Sequence, residues 1–340
     1  MANRAVWLDG PGQEPRVDSA PTSEPGEGEL LIRVKAVPVQ PGEWKIQAGL
    51  IPVPLRYPTV IGVSLAGVVE KIGTGVRRFR QGDRVVANSA SVLRDDHRFG
   101  AYQKFCLATQ DMTAKIGETI SFEEAGSLAV AYSPAGALFL HLGLDRPQYP
   151  ALPKKHERVL IWGVSSSFGA IASQLAARAG YDVVGVAAGW HAQSVSSFGV
   201  DRFVDRTASD VVQQLISLGP FKAVLSAADD AADQVKIGQI LGALGGGYFL
   251  TTFGVRDGVE FPPGVTGGFG MFLQEIMDPK NVEFKEWLWW DYLEKALSNN
   301  DLESLPVEVV GGLSQAKTAW DTLRKGGVSG KRQIITPDSD

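Results

Sequence analysis

Seven residues, Gly163-Val164-Ser165-Ser166-Ser167-Phe168-Gly169, carry the most chemical information in the chain. They follow a short apolar run, Val159 to Trp162, of the kind that forms a buried parallel strand. They precede Ile171, Leu175 and Ala179, which recur four apart on one helical face, and Gly180 is a good C-terminal stop. A strand, a tight turn of small residues and a helix form the first unit of a dinucleotide-binding fold. Such a turn aims backbone N–H groups and the positive end of a helix at a pyrophosphate. Gly163 and Gly169 stand where the strand must stop and the helix must pack closely. Ser165, Ser166 and Ser167 fill the middle, often glycine; their hydroxyls can donate to phosphate oxygens but narrow the approach. An ordinary strand-to-helix turn with no ligand has the same requirements.

A second group follows the next strand, Val183 to Ala187. It reads Ala188-Gly189-Trp190-His191 and holds no carboxylate. Folds that prefer NAD place an acid there to bind the ribose hydroxyls. Here a 2′-phosphate would meet no repulsion, so NADPH is the expected cofactor. Arg206, after the third strand, suits a phosphate, and His191 can assist. The alternative for Arg206 is a solvent ion pair with Asp205 or Asp210. Trp190 can either stack on an adenine or block it.

The elements that must position these residues are legible. From Arg158 onward, strands at Val159–Trp162, Val183–Ala187, Arg202–Val204, Ala223–Ser226 and Tyr248–Thr251 alternate with helices at Ala170–Ala179, Ala192–Phe198, Val211–Leu218 and Asp233–Leu244. This predicts an α/β fold, a doubly wound parallel sheet of the Rossmann type. Residues 1 to 120 are β-rich, with strands at Ala5–Leu8, Glu29–Val37, Ala66–Ile72 and Arg84–Ala87 between Pro and Gly clusters, which suggests a small irregular barrel. Ser121 followed by Glu123 and Glu124 starts a helix. Pro134 requires a kink or a fresh helix start, with Ser133 as the N-cap. The aromatic helix Phe284–Leu297 reads as core or interface, Ser314–Arg324 as a further helix and Arg332–Thr336 as a last strand.

Composition excludes several classes. At 340 residues the chain is long enough for about two domains. It is 44% apolar and 21% charged, and its net charge of −5 with scattered basic residues argues against nucleic acid as a partner. Cys106 is the single cysteine, so disulfides and multi-cysteine zinc sites are excluded. His97, His141, His156 and His191 are far apart and lack ligand spacing, so no metal is expected. The N-terminus has no apolar signal core. The apolar stretch Ala125–Leu144 is interrupted by Ser133, Pro134, Gly136 and His141 and reads as a buried helical segment, not a membrane span. The expected location is the cytoplasm.

Several segments together resemble the medium-chain dehydrogenase/reductase superfamily, and within it the zinc-independent, quinone-reductase-like branch that includes fungal trans-acting enoyl reductases of polyketide pathways. The residues are Val39-Gln40-Pro41-Gly42-Glu43-Trp44-Lys45, Gly62-Val63-Ser64-Leu65-Ala66-Gly67, Gly82-Asp83-Arg84-Val85, Gly100-Ala101-Tyr102-Gln103-Lys104-Phe105, Ser121-Phe122-Glu123-Glu124-Ala125 and Val328-Ser329-Gly330-Lys331, in that order. The resemblance implies a GroES-like catalytic domain over 1–125, a Rossmann domain over 126–279 and a return to the catalytic domain over 280–340, with the active site in the cleft between the domains. Val63 and Ser64 stand where the zinc branch has His-Glu, so a metal-bound alkoxide is disfavoured. The resemblance implies hydride transfer to an activated C=C bond, which needs no metal.

On that resemblance Lys45 would polarise the substrate carbonyl and stabilise the enolate. Tyr132 and Ser133 would flank the nicotinamide as candidate proton donors, although Ser133 is read first as a helix cap, and Lys331 would join the cofactor site. Three departures stand at cofactor-facing positions: the serines of the turn, Pro134 in place of a threonine, and the Trp190 stretch in place of a basic residue. They keep open a second reading, a repurposed scaffold that performs a cyclisation or isomerisation without NADPH. The substrate is expected to be a small molecule or carrier-bound chain, with a polyketide synthase as candidate partner. Gly254 to Phe272 is expected to form an apolar cleft wall, and the chain is expected to be a monomer.

Overall fold

The structure, a computed structural model, describes residues 2–51 and 53–339. Its contacts divide the chain into two units, Met1–Val130 with Met277–Asp340, and Ala131–Ile276.

The first unit is built on a sheet ordered Val307–Gly311, Arg332–Ile335, Glu29–Pro38, Ser64–Ile72, Arg84–Asn88 and Thr113–Lys115, with Phe105–Thr109 also paired to Glu29–Pro38. Glu29–Pro38 is its centre. Leu30, Ile32 and Val34 recur every second residue and enter one core with Leu65, Val69 and Val85. Leu31 faces the other way and packs with Phe99, Phe105 and Leu107. Asn3–Trp7 and Arg16–Ala20 form a separate antiparallel pair. The aromatic helix runs as Val282–Glu286, a π-helical segment Trp287–Leu293 and Glu294–Ser298. Leu288, Trp289, Tyr292 and Leu293 are buried, so it is a core helix.

The second unit is the doubly wound parallel sheet. Arg202–Asp205, Asp182–Ala187, Arg158–Trp162, Ala223–Ser226, Gly247–Thr251 and Val265–Phe269 lie side by side in that order, every pair parallel. Val159 to Trp162 is buried on both faces, as a central parallel strand requires. Leu215, Ile237, Ile240 and Leu241, from the helices Val211–Leu218 and Ala231–Ala243, pack on Leu160, Trp162, Val184 and Val224. The strand order reverses between Arg158–Trp162 and Ala223–Ser226, and such a reversal opens a crevice at the carboxyl ends.

One expectation is corrected. Ala192–Phe198 is a run of turns, and only Gly189–His191 forms a short 3-10 turn. Its serines bond back to the chain, Ser194 Oγ to the His191 carbonyl at 2.9 Å and Ser196 Oγ to the Gln193 carbonyl at 2.7 Å, which competes with a helical ladder. The segment Gly254 to Phe272 contains the edge strand Val265–Phe269, which the sequence reading did not assign. Among the described residues, no helix is long and apolar enough to cross a membrane.

Candidate functional site

The turn Gly163–Gly169 closes on itself at the strand-order reversal. Gly163 adopts φ +89°, and a side-chain carbon there would lie 2.8 Å from the Ala228 nitrogen, at the end of the neighbouring strand. A side-chain carbon on Gly169 would lie 2.2 Å from the Gly163 carbonyl oxygen. Both positions therefore need glycine. The three serines do not, because none of them has positive φ. Ser166, at φ −80°, caps the helix Ser167–Arg178: its Oγ accepts from the Gly169 N–H at 3.0 Å. The same hydroxyl donates to the Gly163 carbonyl at 2.8 Å, and the Ser166 N–H reaches that oxygen at 3.0 Å. Its proton is committed inside the turn, which corrects the expectation that all three hydroxyls face a phosphate. Ser165, Ser167 and Phe168 remain partly exposed around the helix N-terminus. Ser166→Ala should cost about 1 kcal/mol in a denaturation curve and Ser166→Gly only a few tenths, since glycine is itself tolerated as a cap.

The second group sits beside the first. The Val186 carbonyl accepts from the Gly163 N–H at 2.7 Å and the Val164 N–H at 3.1 Å, tying the turn to the end of the second strand. Ala188 leads into the turn Gly189–His191, where Trp190 stands 75% exposed. This stretch is free of carboxylates in sequence but not in space. Asp205, from the adjacent strand, accepts from the Thr207 N–H at 2.9 Å and the Thr207 hydroxyl at 2.8 Å. It lies so close to Gly189 that a side-chain carbon there would be 2.4 Å from its Oδ2. The bonds from Thr207, and a further one from the Gly189 N–H, hold its carboxyl below the usual carboxylate range.

Arg206 pairs with neither Asp205 nor Asp210. Its Nη1 lies 3.1 Å from Asp233 Oδ2, in the first turn of the helix Ala231–Ala243, with the two side chains 39% and 4% exposed. The cation is anchored yet half open, so a phosphate would share it with Asp233. Asp233 is a contributor that the sequence reading missed, and Asp205 was read there only as a partner for Arg206. Asp205 comes from the neighbouring strand and Asp233 lies 27 residues beyond Arg206, so neither stands next in sequence to the group it touches.

The remaining candidates belong to both units. Tyr132 is buried and Ser133 is half-buried in the helix Tyr132–Ala135. Ser133 is not its cap: Ala131 holds that place with helical angles and no side-chain bond. The chain is already helical there, and Pro134 falls in the first turn, where its missing N–H leaves no gap. Lys45 belongs to the first unit, on the helix Pro41–Gln47, with its ammonium 5.7 Å from the Trp44 ring centroid. The inner face of that helix carries Glu43, which the sequence reading passed over. Glu43 Oε2 accepts from the Tyr102 hydroxyl at 2.6 Å and the Gln40 N–H at 2.8 Å, and Trp320 Nε1 donates to the Tyr102 oxygen at 3.0 Å. Burial pushes the Glu43 carboxyl up to about 7. Lys331, also in the first unit, pairs with Glu308 at 2.9 Å. Burial pushes the Cys106 thiol up, which makes it a poor nucleophile. Among the described residues no group of three or more His, Cys, Asp or Glu side chains is placed to hold a metal.

Residues 26–118 match the alcohol dehydrogenase GroES-like domain. Trans-enoyl reductase himH of Aspergillus japonicus is 30% identical over 312 residues, spanning 90% of this chain and 89% of that protein. The chain belongs to the medium-chain dehydrogenase/reductase superfamily. Dehydrogenase orsE of Emericella nidulans, 27% identical, covers 98% of this chain and 99% of its own. An alcohol dehydrogenase superfamily protein from Novosphingobium aromaticivorans shares the fold, with a TM-score of 0.79 at 18% identity over 98% of this chain and 99% of that one. The medium-chain dehydrogenase/reductase fold implies a nicotinamide dinucleotide, and the residues here fit one. Both glycines of the phosphate turn are sterically required, Ser166 caps the start of the helix behind it, and the Arg206 cation stands half exposed after the third strand.

Proposed function

We propose that this protein is a zinc-free, NADPH-dependent reductase of an activated C=C bond, an enoyl or enone group. The observation that carries the proposal is the self-closed turn at the strand-order reversal, with Gly163, Ser166 and Gly169 each fixed by a close approach or a bond. The likeness to a protein named a trans-enoyl reductase supports the substrate class. The substrate is a small molecule or carrier-bound chain, which a polyketide synthase would present.

The residues that would hold NADPH are Gly163, Ser166 and Gly169 of the turn with Arg206, and the cofactor would supply a hydride for the substrate double bond. The chain's own residues do the rest. Backbone N–H groups at the start of the helix Ser167–Arg178 hold the pyrophosphate. Arg206, oriented by Asp233, meets the 2′-phosphate. Lys45 donates to the substrate carbonyl oxygen and stabilises the negative charge that builds there. Tyr132 and Ser133 are the candidates to deliver a proton to Cα.

A melting experiment tests the cofactor half. Ligand at a hundred times its dissociation constant stabilises the native state by about 2.7 kcal/mol. NADPH should shift the melt clearly and NADH much less. Arg206→Ala should weaken NADPH binding about tenfold, or about 1.4 kcal/mol, and leave any NADH shift alone. NADPH oxidation with enones, quinones and enoyl thioesters, measured with a chelator present, tests the chemistry. Loss of activity in chelator would overturn the zinc-free reading. If neither cofactor moves the melt at millimolar concentration, the reductase reading fails and a non-redox use of the scaffold replaces it.

A further inference from the structure

We infer that Trp190 is an aromatic platform on which the purine of a bound adenosine nucleotide stacks. This rests on the nucleotide reading above and names the part of the ligand that this residue takes.

Three observations carry it. The first is exposure. Trp162, Trp289 and Trp320 are fully buried, whereas Trp190 is 75% exposed and is the most exposed large hydrophobic side chain of the described residues. Its exposure leaves a flat indole available for a base to stack on. The second is place. Trp190 follows the carboxyl end of the strand Asp182–Ala187, whose Val186 carbonyl is bonded to the Gly163 and Val164 N–H groups. The turn that carries the indole is therefore fixed beside the turn that faces the pyrophosphate. In a doubly wound sheet the adenosine half of a dinucleotide crosses the ends of these first two strands.

The third is rigidity. The His191 N–H bonds the Ala188 carbonyl at 2.9 Å and the Ala192 N–H bonds the Gly189 carbonyl at 3.1 Å, closing the turn from within. Asp205, itself fixed by Thr207, presses on the backbone at Gly189, where any side chain would collide with it. The indole thus stands on a clamped backbone, so little ordering remains for a ligand to impose.

Stacking is indifferent to the 2′ position, so Trp190 should act alike on ADP and on 2′,5′-ADP, whereas Arg206 should favour the second. The experiment titrates the wild-type chain, Trp190→Ala and Trp190→Phe with ADP, 2′,5′-ADP and nicotinamide mononucleotide, read by calorimetry and by tryptophan fluorescence. Both adenosine ligands should quench the wild-type emission. Trp190→Ala should bind each of them about tenfold more weakly, Trp190→Phe should recover most of the affinity, and the mononucleotide should be indifferent to both changes. If Trp190→Ala binds the adenosine ligands as well as or better than the wild type, the platform is refuted while the reductase proposal stands. If the wild type binds no adenosine ligand, both fall together.

Discussion

Asp229→Ala should be among the most destabilising single changes in the second unit, by about 3 kcal/mol in a urea titration. The Asp229 side chain is fully buried one residue after Ala228, the residue that packs on Gly163. It accepts from Thr251 Oγ1 at 2.7 Å and Gln234 Nε2 at 3.1 Å, and Arg256 Nη2 lies 3.3 Å away. Arg256 also donates to the Asp229 carbonyl at 2.8 Å and from its backbone N–H to Gln234 Oε1 at 2.9 Å. Removing the carboxylate takes an acceptor from Thr251 Oγ1 and from Gln234 Nε2 and the counter-charge from the partly buried Arg256, so the loss exceeds one hydrogen bond. Asp229→Asn, which keeps one acceptor, should cost about half as much. Because this network backs the wall of the crevice, the nucleotide-induced melting shift should shrink in Asp229→Ala as well. A loss below about 1 kcal/mol would show that water reaches Asp229 and replaces its partners.

Glu43 should make the stability of the first unit depend on pH in an unusual direction. Its carboxyl rises from 4.5 to about 7, first through burial, against the opposing bonds from Gln40 and Tyr102 and the Arg332 charge. Below about 4.5 both the folded and unfolded chains keep the proton. Between there and about 7 only the folded chain keeps it, so stability falls as pH rises through this window and levels off above it. The full effect is about 3 kcal/mol. Other carboxyls act in the opposite sense at the acid end: Asp83 and Asp111 are held low by lysine partners that outweigh their burial. The difference between wild type and Glu43→Gln isolates the one group. Relative to the variant, the wild type should lose about 3 kcal/mol between pH 4.5 and 7.5, read by denaturant unfolding at each pH. A constant difference would place the Glu43 titration below that window.

Local patterns carried most of the fold. The alternation of short apolar runs with helical repeats after Arg158 pointed to the parallel sheet, whose central strands, Val159–Trp162 and Ala223–Ser226, are buried on both faces. Gly163 and Gly169 were readable as a turn because sterics leave little choice there. Pairings set across the sheet were not readable. Asp205 reaches Gly189 because neighbouring parallel strands end side by side, and Arg206 finds Asp233 from another helix. The edge strand was missed because Gly267 and Gly268 look like a loop. They are needed there to admit the rings of Phe249 and Tyr248, since side-chain carbons would lie 2.8 Å from Phe249 Cζ and 2.2 Å from Tyr248 Oη. Glu43 sat inside a recognised motif, but its role depends on Tyr102 and Trp320, which join it from remote parts of the chain.

The first unit is drawn from both ends of the chain, and this sets an order on its synthesis. Val37 and Pro38 of the central strand pair with Ile335 and Ile334. At about 5–20 residues per second, the roughly 300 residues between them take about 15–60 s to make. Through that interval the nascent central strand lacks its final neighbour on one side, and Tyr102 lacks the indole of Trp320. The inserted unit, Ala131–Ile276, is made in one piece and has every strand of its sheet in hand before the first unit can close. A chain released after Ile276 should therefore present a protease-resistant second unit beside a first unit still open to cleavage.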